Sequence, residues 1–176
     1  MNFLVLLLLV NFPLNTIKIF DFNSKSNIYN WQIVNDVVMG GKSSSTITIN
    51  KEGHAQFSGT VSTENNGGFS SVRHNFKSVS VKKTSKICAL IKGDGKVYQL
   101  RVKDRYNNYY SYIHTFCTSE NWQEIEIPLS EMYPSFRGKT LNKPNFNHDV
   151  IEEITFLIAN NKSEKFQLII DKIYLK

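Results

Sequence analysis

Apolar and polar residues alternate with a period of two along most of this chain, and short turn signals interrupt the alternation. Ile17 and Ile19 set against Phe20 and Phe22 read as a first strand, with Asp21 amid it. Ile47 and Ile49 share one face of the run Ser43 to Ile49, and Asn50-Lys51-Glu52-Gly53 turns the chain. Ala55, Phe57, Gly59 and Val61 then share a parity, so the two runs predict a hairpin. Lys86 to Ile91 is almost continuously apolar, as expected of a strand covered on both faces. Gly93-Asp94-Gly95 reads as a hairpin turn. Beyond it Tyr98, Leu100 and Val102 occupy one face of a strand, with Gln99, Arg101 and Lys103 on the other.

The same pattern continues to the end. Tyr110, Tyr112, His114 and Phe116 share a face. Ile125, Ile127 and Leu129 point inward while Glu124 and Glu126 point out, and Pro128 marks an edge or a strand end. The stretch 130–148, holding Pro134, Gly138 and Pro144, reads as a long loop. Ile151 to Ile158 and Phe166 to Leu175 are the closing strands. No stretch sustains a period of 3.6, so helices are expected to be few and short. The result is an all-β chain, and pattern alone leaves sandwich and barrel open.

Two stretches depart from simple alternation. Trp31 opens the first, followed by the Asn35-Asp36 turn signal, the apolar run Val37-Val38-Met39, and the pair Gly40-Gly41. The second is Asn65-Asn66-Gly67-Gly68-Phe69-Ser70-Ser71-Val72-Arg73. Paired glycines admit positive φ and close backbone approach, so both stretches are expected to form shaped loops. Asp36 and Arg73 adjoin these pairs. Each is read either as a contact to a ligand or partner, or as a structural group. In the structural reading Asp36 caps N–H groups of the Val37–Gly41 turn, and Arg73 meets a carboxylate or carbonyl. If the loops meet, an Asp36–Arg73 ion pair would clamp them.

These residues resemble the complex I intermediate-associated protein 30 family. The likeness rests on Trp31, Asn35-Asp36-Val37-Val38-Met39-Gly40-Gly41-Lys42-Ser43, Phe57-Ser58-Gly59 and Asn65 to Arg73. Weaker matches follow at Gly93-Asp94-Gly95 with Tyr98, Trp122 with Ile127-Pro128-Leu129, Phe136-Arg137-Gly138, and Phe166 to Ile173. The resemblance implies a single galactose-binding-like jelly-roll β-sandwich over 17–176, following an apolar segment 1–16. It also implies a non-enzymatic assembly factor without a cofactor. Its partner would be a protein, such as a subunit of a respiratory complex at a membrane. The alternative carried by the same fold is a carbohydrate-binding module with a glycan ligand. Partner or ligand contacts are expected at Asp36, Met39, Gly40, Gly41, Asn66, Gly67, Gly68, Phe69 and Arg73.

The N-terminal run Phe3 to Val10 is too short to span a bilayer, which takes about 20 apolar residues. It fits the apolar core of an export signal, an uncleaved anchor, or a buried strand. The first arginine of the chain is Arg73, which does not support a mitochondrial presequence.

Composition narrows the chemistry further. With 41% hydrophobic residues and 20% charged ones, the chain can bury a core and need not be disordered. The net charge of +6 comes from scattered lysines, with a small cluster at Lys82, Lys83 and Lys86. A solvated basic surface explains this, and no nucleic-acid partner is expected, because no run interleaves arginine with aromatics. Cys88 and Cys117 lack zinc-site spacing, and a buried free thiol is expected at Cys88. His54, His74, His114 and His148 are dispersed. Glu152 and Glu153 are adjacent strand positions that face opposite ways, so they do not make a catalytic carboxylate pair. Trp31 and Trp122 are expected to pack rather than to stack on sugar.

Overall fold

The computed structural model describes residues 16–176, so the apolar run Phe3–Val10 lies outside the described residues. The strands are β1 (Ile17–Asp21), β2 (Trp31–Asn35), β3 (Ser44–Ile49), β4 (Ala55–Val61), β5 (Ser70–Ser80) and β6 (Lys86–Lys92). They continue as β7 (Val97–Lys103), β8 (Ser111–Cys117), β9 (Trp122–Pro128), β10 (Tyr133–Phe136), β11 (Lys139–Thr140), β12 (Val150–Ile158) and β13 (Glu164–Leu175). Helical structure among the described residues is limited to three short 3-10 turns, the first at Asp36–Met39.

The strands form two antiparallel sheets. One has the order β3-β4-β13-β6-β9, with β1 also paired to β13. The other has the order β11-β10-β8-β7-β12-β5-β2. Strand β13 is the axis of the first sheet. Its first half pairs with β4 and its second half with β6 and β1. The core lies between the sheets, where alternate side chains of each strand meet. Phe57, Leu168, Ile170 and Ile173 from one sheet face Val72, Leu100, Ile154 and Phe156 from the other, all fully buried. At 25 cal/mol per Å2 of apolar surface, each such side chain stabilises the fold by about 1.5–3 kcal/mol. The jelly-roll sandwich expected from the sequence is therefore the observed architecture.

Three expectations need correction. Gly93-Asp94-Gly95 is not a hairpin turn, because β6 and β7 lie in different sheets. Asp94 holds this crossover by accepting hydrogen bonds from the Tyr98 hydroxyl at 3.0 Å and the Gln167 N–H at 2.9 Å. The stretch 130–148 is not all loop, since β10 pairs with β8 and with β11. Pro134 disguised β10, because proline donates no ladder hydrogen bond and reads as a break. Trp122 is not packed away; it is 41% exposed, with its ring at 64° to that of His54 and the centroids 4.8 Å apart. Trp31, by contrast, is buried and stacks on His74 at 4.8 Å. Cys88 and Cys117 are both free thiols, the first buried and the second exposed.

The hairpin of β3 and β4 is as close as its backbone permits. A Cβ on Gly59 would stand 2.2 Å from the Ser44 carbonyl oxygen and 2.7 Å from Ser45 Cα. Gly59→Val is therefore expected to lower stability by about 2–3 kcal/mol, since backbone rather than a flexible side chain must yield. A urea midpoint equal to that of the wild type would refute this close approach.

Candidate functional site

The sequence Asn35-Asp36 ends β2 and starts the Asp36–Met39 turn, which Gly40 terminates in a left-handed conformation at φ 89°. This geometry sends the Asp36 side chain inward, where it is 0% exposed. Its Oδ1 accepts the Ser43 N–H at 2.9 Å. Its Oδ2 accepts the Ser43 hydroxyl at 2.5 Å, the Gly68 N–H at 2.6 Å and the Phe69 N–H at 3.2 Å. Burial alone would raise the pKa of this carboxyl. The Ser43 hydroxyl and the three N–H groups outweigh burial and hold it below the ordinary aspartate value.

The two glycine loops thus meet at one carboxylate, and each glycine answers a specific demand. A Cβ on Gly41 would lie 2.3 Å from Asp36 Oδ1, and one on Gly67 would lie 2.6 Å from Oδ2. Gly40 and Gly68 have open space but positive φ, at 89° and 135°. The expected Asp36–Arg73 clamp is not formed. Asp36 binds Ser43 beyond its own turn and the Gly68 and Phe69 N–H groups of the second loop, rather than the Val37–Gly41 N–H groups or Arg73. Successive residues on β5 alternate faces, so Arg73 projects away from the sandwich interior while Val72 and His74 face it.

Arg73 instead lines a groove of ≈ 1050 Å3 on the outer face of the seven-stranded sheet. Strand register builds its floor. Thr155 on β12 is paired with Arg73 on β5 and with Arg101 on β7. The next row along joins Leu157, Ser71 and Gln99, and the previous one joins Glu153 to Lys103. Met39, Asn66, Gly67, Gly68 and Phe69 form one wall, while Tyr109 and Phe136 lie across from them. Of the residues singled out in the sequence, Asp36 and Gly41 sit behind this wall, Gly40 shapes it, and the other six line the groove.

Sequence reasoning missed Arg101, Lys103, Glu153, Thr155, Tyr109 and Phe136. The alternation of Gln99, Arg101 and Lys103 was visible, but a polar strand face looks the same whether it meets bulk water or a concavity. Four cations, Arg73, Arg101, Lys103 and Arg137, line the groove against a single carboxylate, Glu153. Glu153 is buried and already engaged by Lys103 Nζ at 3.8 Å and by the Thr155 hydroxyl at 3.4 Å. Gln99 Oε1 accepts from Arg101 Nε at 3.0 Å and Nη2 at 2.6 Å, which fixes that guanidinium. Burial first, and then the charge of Arg73, push the Arg101 pKa down to about 10. On the outer face of the other sheet, Cys88, Glu124 and Glu126 lie within 4.8 Å of one another. Lys176 and Lys86 already take those carboxylates, and burial raises the Cys88 thiol to about 11, which opposes thiolate ligation.

Comparison with known proteins extends this picture. The sequence pattern described as Complex I intermediate-associated protein 30 matches residues 20–170. An uncharacterized protein of Schizosaccharomyces pombe is 28% identical over 166 residues, covering 81% of this chain and 76% of that one. A family 11 carbohydrate-binding module from Clostridium thermocellum, solved with a β-1,3-1,4-mixed-linked tetrasaccharide, has a TM-score of 0.66 at 24% identity. That match covers 91% of this chain and 94% of the module. The family 11 module of a cellulosomal cellulase, Lic26A-Cel5E, of the same organism gives 0.66 at 22% identity, covering 92% and 94%. At these identities the likeness establishes the fold.

Two predictions follow from the carboxylate. Asp36→Asn replaces an accepting oxygen by an NH2 group that must face an N–H or hydroxyl donor. It should cost about 3 kcal/mol in denaturant unfolding, and a loss under about 1 kcal/mol would contradict the assigned network. Because the folded pKa lies below the unfolded one, the contribution of Asp36 is complete above about pH 4 and fades as pH falls through the lowered value. Acid titration of the variant should lack that component. Among the glycines, Gly41→Ala should cost about 3 kcal/mol and Gly40→Ala about 1, because the first meets a carboxylate and the second only torsional strain. Equal melting temperatures for the two variants would refute this ranking.

Proposed function

Because the chain belongs to the complex I intermediate-associated protein 30 family, we propose that it is a non-enzymatic binding protein that assists assembly of a membrane-bound respiratory complex. Its client would be a protein subunit, held transiently in the groove and against the loops that Asp36 joins. The observation that carries this reading is the make-up of the groove rim. Met39 is 51% exposed, Tyr109 60% and Phe136 37%, on walls that flank a polar, charged floor. Exposed apolar anchors around satisfiable polar groups are what a protein surface can fill, and a methionine adapts to an irregular partner.

A glycan is the second reading, and the likeness to carbohydrate-binding modules favours it. Sugar rings bind best on a flat aromatic face. Tyr109 and Phe136 meet edge to face, with ring planes at 83° and centroids 5.2 Å apart, so they offer no common platform. Arg137 lies over the Phe136 ring at 5.2 Å as well. These features weigh toward the protein partner.

The test is recovery of the tagged full chain from gently solubilised membranes, with the bound species identified. A respiratory-complex subunit is the expected companion, and polysaccharide alone would overturn the proposal. Met39→Asp with Phe136→Asp should reduce capture by at least about tenfold while leaving the melting temperature unchanged.

A further inference from the structure

The floor of the groove holds an electrostatic mismatch that the fold does not resolve. Arg73 and Arg101 stand on the two strands that flank β12, in register with Thr155, so their Cα atoms are about 10 Å apart. Guanidinium groups on side chains of that length can reach a common point above Thr155. Among the described residues neither forms an ion pair. Arg73 Nε is buried without a hydrogen-bond partner. Arg101 uses Nε and Nη2 on Gln99, which leaves its Nη1 edge available. The carboxylate nearest in the floor, Glu153, is turned to Lys103 and Thr155.

We infer that Arg73 and Arg101, flanking Thr155 and oriented in part by Gln99, form a receptor for a carboxylate side chain on an extended acidic segment of the protein partner. This rests on the protein-capture reading above and specifies its chemistry. Arginine presents a planar fork matched to a carboxylate, and a charge-assisted pair in a recessed site is stronger than one in open water. One entering carboxylate would relieve the repulsion between the two cations. Burial chiefly, and the charge of Arg73 after it, lower the Arg101 pKa. The occupant is a chain rather than a lone anion, because an open groove of ≈ 1050 Å3 exceeds what a small ion fills. Arg137 and Lys103 extend the positive lining beyond the pair, in keeping with more than one acidic residue.

The test uses the full chain with a short poly-L-glutamate peptide, followed by fluorescence anisotropy. The groove variant Arg73→Gln/Arg101→Gln is compared with Lys82→Gln/Lys83→Gln, which removes the same charge from an exposed site outside the groove. The groove variant should bind at least about tenfold more weakly than this control. Arg73→Lys/Arg101→Lys, which keeps the charge and loses the fork, should fall between. Thermal melts should place the groove variant at or above the wild type, because two unpaired like charges are relieved; a large drop would make the arginines structural and overturn the inference. Equal weakening by both glutamine pairs would also overturn it, as would no binding of the peptide by the wild type. So would binding of a mixed-linked tetrasaccharide in place of the peptide. In the membrane capture assay, a groove variant that still recovers the client overturns the carboxylate receptor alone. A wild type that recovers no protein overturns the capture reading itself.

Discussion

A carboxylate taken out of water must receive hydrogen bonds at most of its lone pairs, or the fold that buries it will not hold. Asp36 meets this demand with donors that are far apart in sequence. Ser43 comes from the loop it shares, and Gly68 and Phe69 come from a loop more than thirty residues away, separated by the whole β3–β4 hairpin. The dependence runs both ways. Gly41 and Gly67 leave the room in which backbone approaches the carboxylate oxygens, and the carboxylate in turn ties the two loops together. One wall of the groove is therefore set by a residue that does not touch the groove.

The floor follows a different logic. Regular register across β5, β12 and β7 delivers rows of paired side chains, and the second sheet presents those rows on its outer face. Interior stability asks nothing of them beyond modest polarity. Residues that stability does not dictate are free to carry recognition, and here they carry unbalanced positive charge. Rigid strands hold those groups more firmly than loops would, while Met39 and Tyr109 sit on turns around them and Phe136 ends β10. Arg137 and Gly138 form a two-residue hairpin turn with both φ positive, at 48° and 75°, which places Phe136 at the rim.

How much of this was legible in the sequence depended on what each signal measures. The β3–β4 hairpin was readable because Ile47, Ile49, Ala55 and Phe57 bury one face, and burial writes a period of two. Opposite faces for Glu152 and Glu153 followed from the same rule, and they do point apart, to Arg105 and toward the groove. Asp36 was visible as a special residue, but its partners were not. A carboxylate beside a glycine turn does not announce whether it will take a guanidinium or backbone N–H groups, and the pairing with Arg73 was wrong on that point. The groove floor was illegible for a geometric reason. Concavity arises from how strands twist against one another over the whole sheet, and a local pattern such as Gln99-Leu100-Arg101-Val102-Lys103 carries no record of it.

The placement of β13 bears on how the molecule comes into being. It joins β1, β4 and β6, so the first sheet has no centre until this strand exists. In vectorial synthesis β1 emerges early and waits while more than 140 residues are made before its partner appears. During that interval β1, β4 and β6 expose unpaired edges and apolar side chains that the finished sandwich hides. Non-local pairing of this kind folds slowly and leaves nascent chains open to wrong associations. A protein proposed to help assembly would thus itself pass through a vulnerable stage on the ribosome, one that ends only when β13 is free to insert.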